Sequence, residues 1–104
     1  MIIILANVQV APNRIQEALA LSKQHVARSR AEPGCISHSV YEDKDKENHL
    51  VFVEEWESEE ALQMHFAVPE SGQFANALGA MAAVRPKIRL YKAKELPFPG
   101  QSAA

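Results

Sequence analysis

The segment Ile2 to Val10 constrains the fold more than any other part of this chain. In an extended backbone Ile2, Ile4, Ala6, Val8 and Val10 fall on one side, and Ile3 and Leu5 on the other. A strand that is apolar on both faces must be covered on both. Asn7 and Gln9 interrupt the run and no basic leader precedes it, so it is expected to be a buried strand, not a signal peptide or a membrane span.

The period then changes. Asn13 is placed to cap a helix, with Gln16 able to reach back to it. Ile15, Ala18, Leu19, Ser22 and Val26 form one apolar stripe at helical spacing, and Glu32-Pro33-Gly34 should end it. From Cys35 the period is two: Ile36, His38 and Val40 alternate with Ser37 and Ser39, which predicts a strand with one buried face. The polar run Asp43 to Asn48 reads as a hairpin connection, and His49 to Trp56 as a third strand, with Leu50 and Phe52 on one face and Val51 and Val53 on the other. Ser58 should cap a second helix whose inward stripe is Leu62, His65 and Phe66. Val68-Pro69 breaks it, a helical stretch follows from about Ser71 to Ala83, and a last strand carries Ile88, Leu90, Tyr91 and Ala93.

Strand, helix, strand, strand, helix, strand is the split βαβ order of an α+β, ferredoxin-like fold with an antiparallel sheet. Residues 1–95 should form one domain and 96–104 a tail. Helices cover one sheet face, so the second apolar face calls for another cover, and a symmetric partner subunit is expected to supply it. A net charge of −2 gives no electrostatic reason to bind nucleic acid. Arg85, Lys87, Arg89, Lys92 and Lys94 read as the solvated side of a strand. The single Cys35 can form no internal disulfide and suggests a reducing, cytoplasmic compartment.

No phosphate loop, paired-cysteine motif or nucleophile elbow is present. The candidates for chemistry are polar or aromatic residues where the pattern expects apolar ones. Asn7 must find hydrogen-bond partners within the greasiest strand, either in a neighbouring loop or partner subunit, or as a donor aimed into a cavity. His38 and His65 lie on inward faces and His25 borders the first helical stripe; each is a satisfied core histidine or a pocket residue. Trp56 is a core plug or a pocket wall, and register decides whether it or His38 meets the helices. Glu54 shares its parity with Trp56, and inward burial would raise its pKa toward that of a base. No metal-ligating set is evident from spacing.

Glu32-Pro33-Gly34-Cys35, Tyr41-Glu42-Asp43, and the run Glu54 to Leu62 followed by His65 together resemble the antibiotic biosynthesis monooxygenase domain, over nearly the whole chain from Ile2 to about Ala93. Within that family the chain looks most like the quinol monooxygenase-like and autoinducer-2-processing branches. The resemblance implies a dimeric α+β barrel with a pocket between helices and sheet, where a small quinol or phenol is oxidised by O2 with no cofactor. It implies catalytic roles for Asn7, Trp56 and His65, with His25, His38, Glu54 and Phe66 around the substrate. Haem-degrading members carry Trp near the position of His65 and a ligating His near Ala77 or Leu78; this chain has neither. Two alternatives stand beside oxygenation: non-redox processing of a small oxygenated signal, which requires His25, His38 and His65 to converge, and a non-catalytic ligand-binding dimer.

Overall fold

β1 (Ile2–Gln9) takes the central place its two apolar faces demand, hydrogen-bonded on both edges. In the computed structural model, which describes residues 1–101, the chain continues through α1 (Ile15–Arg30), β2 (Cys35–Glu42), β3 (His49–Trp56), α2 (Glu59–Ala67), α3 (Pro69–Met81) and β4 (Lys87–Lys92). The sheet is antiparallel with the order β2-β3-β1-β4, the predicted ferredoxin-like α+β arrangement. The end of the expected tail, residues 102–104, lies outside the described residues.

Alternation sets which side chains meet the helices. Ile2, Ile4, Ala6 and Val8 of β1 are buried, and so are Leu50, Phe52, Glu54 and Trp56 of β3. Two apolar clusters result: Ala6, Val8, Val10, Ala18, Leu50, Phe52, Leu78 and Met81 form the larger, and Ile2, Ile4, Trp56 and Leu62 the smaller. Along β3 the boundary between them falls at Glu54, and the polar site occupies that gap. On the opposite face Ile3, Leu5, Val51 and Val53 are only half-buried, and every residue of β4 is exposed.

Four local expectations fail for identifiable reasons. Asn13 does not cap α1; its backbone is left-handed (φ 74°), and Arg14 occupies the N-cap without a side-chain bond. Asn is among the residues that tolerate this conformation, so Pro12-Asn13 makes the turn instead. An irregularity in β2 between Cys35 and Ser37 shifts the pairing, which throws Ile36 outward (51% exposed). With that one-residue correction His38 pairs with Glu54, and both His38 and Trp56 face the helices. Phe66, expected on the inward stripe of α2, is 56% exposed. Ser58 does cap α2 as predicted, its Oγ accepting from the Ala61 N–H at 3.1 Å.

Candidate active site

Glu54 is the middle member of a cross-strand row, Ile4 on one side and His38 on the other. It points inward and is nearly buried. Its Oε1 accepts from the Trp56 indole N–H at 3.0 Å and lies 3.2 Å from His38 Nε2. Burial pushes the Glu54 pKa up, but the His38 contact and the Trp56 N–H pull it down further, so it ends below the ordinary carboxylate value. The predicted upward shift is therefore reversed: burial came with partners for the charged form.

Helices bring the other imidazoles to this row. His25 sits one turn from Arg28 on α1, and Arg28 Nη2 donates to His25 Nδ1 at 2.7 Å. A guanidinium has only donors, so Nδ1 accepts and the ring proton resides on Nε2. His65 on α2 places Nδ1 at 2.6 Å from Glu32 Oε1. The carboxylate accepts the Nδ1–H, which leaves Nε2 with its lone pair. The ring centroids of His25, His38 and His65 are 5.2, 5.4 and 5.7 Å apart. Phe74 stacks on His25 at 3.9 Å, and Trp56 lies 4.5 Å from His65.

A cavity of about 190 Å³ opens beside the cluster. Its walls are mostly apolar, with Ile4, Ala6, Val8, Phe52, Phe74 and Leu78, and the polar groups on it are His25, Glu54, His65 and Ser71. Ser71 Oγ is buried and has no protein partner. Phe66 and Ile88 also line the cavity while remaining exposed.

Of the residues singled out from sequence, His25, Glu54, His65 and Phe66 line this cavity, while His38 and Trp56 stand behind its wall. Asn7 belongs elsewhere. It pairs with Val51 and Lys87 on the sheet face away from the helices, beside Gln9, Lys46 and Arg85. Strand parity explains this, since Asn7 shares the side of Ile3 and Leu5. Glu32, Arg28 and Phe74 were not singled out as functional. Glu32 reads in sequence as part of a helix stop, and its partner is 33 residues away, so no local pattern reveals the pair.

Burial, then the charges of His38, His65 and Arg28, push the His25 pKa from its ordinary 6.5 down to about 3. The unfolded chain takes up this proton below pH 6.5 while the folded protein refuses it until about pH 3. The resulting stability is complete above the higher value and is lost progressively as pH falls between the two. Glu54, also lowered, is lost in the same direction below its unfolded value. Urea unfolding in chelator-containing buffer should show stability falling from pH 7 to pH 4, with a contribution on the order of 3 kcal/mol from His25. His25→Gln should flatten most of that slope; an unchanged slope would contradict the assignment.

A helix-roofed antiparallel sheet with a largely apolar, histidine-lined cavity defines an α+β, ferredoxin-like protein. The sequence profile of the family described as Antibiotic biosynthesis monooxygenase matches residues 1–77. The chain belongs to that family. Over 94 residues it is 37% identical to "Uncharacterized protein sll1783" of Synechocystis sp., an alignment covering 90% of this chain and 64% of that protein, so the chain spans less than two thirds of that relative. Over 65 residues it is 34% identical to "Putative monooxygenase YcnE" of Bacillus subtilis, covering 62% and 68% of the two chains. A crystal structure of an antibiotic biosynthesis monooxygenase superposes with a TM-score of 0.84 at 26% identity, covering 91% of this chain and all of the other. Among the described residues no helix is long and apolar enough to cross a membrane.

Proposed function

We propose that the cavity binds a small aromatic substrate of the phenol or quinol type and that the chain is a monooxygenase that oxidises it with O2, without a bound cofactor. The observation that supports this best is the Glu32–His65 pair at the wall of an otherwise apolar cavity. Glu32 holds the ring tautomer with Nδ1 protonated, so Nε2 can accept the phenolic proton. The His25 Nε2–H and the Ser71 hydroxyl donate to the resulting oxyanion. Phe66 and Phe74 pack on the ring, and Glu54 and Trp56 position His38 and His65 from behind. A cavity of about 150 Å³ accepts benzene, so about 190 Å³ suits a single substituted ring or little more.

The electrons come from the substrate. An electron-rich phenolate reduces O2; one oxygen atom bonds to a ring carbon, and the other leaves as water with the two hydrogens lost from the O–H and that carbon. A phenol thus becomes a quinone, a balanced four-electron change. Metal-chelated protein supplied with a panel of dihydroxyaromatics and phenols should consume O2 and form one quinone per O2. Folded protein that takes up no oxygen across the panel would sink this reading.

The convergence of three imidazoles within 5.2–5.7 Å favours a second reading, in which a small oxygenated, autoinducer-2-like metabolite is rearranged by proton transfer alone. Turnover that persists without oxygen would select it. In either case a homodimer is proposed, because Ile3, Leu5, Val51 and Val53 are only half-covered within one chain and Tyr41 and Tyr91 on the same face are exposed. Sedimentation at micromolar concentration should give twice the chain mass; a stable monomer there would refute it.

A further inference from the structure

We propose that His25, His38 and His65 form a site for one transition-metal dication of the zinc type per chain. The three residues come from α1, β2 and α2, and one ligand nitrogen from each lies within 4.8 Å of the others. Zinc with Zn–N bonds of about 2.0–2.1 Å in a tetrahedron sets nitrogens about 3.4 Å apart. Closing the difference takes about an ångström of side-chain rotation and leaves the backbone in place.

His38 is the independent sign of a missing partner. It is 1% exposed; its Nε2 lies 3.2 Å from Glu54 Oε1, and its Nδ1 has no hydrogen-bond partner. A buried imidazole nitrogen without a partner is costly unless a proton donor or a cation meets it. The surroundings also match what metal-bound histidines need. Glu32 backs His65 and Glu54 backs His38, carboxylates at one nitrogen that leave the other for an ion. Their two negative charges offset a dication.

Arg28 is the competing group. It holds His25 Nδ1 in the metal-free protein, so binding through Nε2 moves the ring proton to Nδ1 and requires the guanidinium, which is only partly buried, to swing outward. Three neutral nitrogens select zinc-like ions over Mg2+ and Ca2+, which demand oxygen ligands. A metal-bound His65 has no lone pair for a substrate proton, so occupancy silences the base chemistry proposed above. Metal binding itself does not depend on that chemistry and is read on the protein alone.

Calorimetric titration of chelator-stripped protein with zinc chloride should give one ion per chain at micromolar affinity or tighter, with no heat from magnesium chloride. Cobalt(II) should develop the visible absorption of a nitrogen-rich, low-coordinate site. His38→Gln should weaken zinc binding at least about tenfold, and Glu32→Gln by about 10–100-fold, the range for outer carboxylates. Circular dichroism confirms folding of each variant, and Glu32→Gln serves if His38→Gln does not fold. Absence of saturable zinc binding to the wild-type protein, or unchanged affinity in a folded variant, overturns the proposal.

Discussion

Glu32→Gln is expected to lower kcat for oxidation of a phenolic substrate by about 10²–10⁴-fold, the range for losing a general base. KM and the melting temperature should change little. The amide has the size of the carboxylate it replaces, and α1, α2 and the cavity walls are untouched. What changes is the proton. Glu32 Oε1 accepts from His65 Nδ1 at 2.6 Å, whereas a glutamine there offers either an uncharged carbonyl oxygen or an N–H and no longer fixes the ring proton on Nδ1. The imidazolium formed on taking the substrate proton also loses its counter-charge. Steady-state kinetics on the folded variant measure this, and kcat equal to wild type would remove Glu32 and His65 from the mechanism.

Gly34→Ala is expected to be the most disruptive single-methyl change in the chain. Gly34 is left-handed (φ 82°), and a Cβ built there would overlap Ala61 Cβ on α2. The left-handed backbone costs alanine about 1–2 kcal/mol, and forcing a methyl into a packed contact costs about 1–3 kcal/mol more. For a domain of this size that lowers the melting temperature by roughly 10–30 °C. Adding Ala61→Gly should relieve the overlap and recover part of the loss, leaving the backbone cost. Activity should fall with stability, since the turn joins Glu32 to the sheet and its Gly34 carbonyl accepts from the Glu57 N–H at 2.8 Å. A melting temperature equal to wild type would show that α2 does not pack on this turn.

Spacing and residue type were enough to read the order of elements, the common parity of Glu54 and Trp56, the Ser58 cap and the break at Pro69. These are properties of neighbours along the chain: a side chain's face follows from its offset, and a cap from a hydroxyl near free N–H groups. The same parity already put Asn7 beside Ile3 and Leu5; the need to satisfy an amide in an apolar strand, and then the likeness to a family, drew it toward the pocket. The bulge in β2 was not legible, because one extra residue is accommodated by how two strands twist together, and it alone turns Ile36 out.

The amino-acid order by itself determined that this chain makes a one-sided, helix-covered sheet with a few polar groups trapped in its covered face. Only the tertiary structure decided what those groups do. Glu32 meets His65 across 33 positions, Arg28 takes His25 Nδ1, and His38 sets Nε2 against Glu54 while Nδ1 is left without a partner. The physical reason is one of range. Apolar burial is non-directional and can be read from spacing, whereas a hydrogen bond depends on sub-ångström distance and angle between groups brought together from separate elements. The same directionality reversed the expected shift at Glu54, which the fold buried together with the two donors that keep it charged.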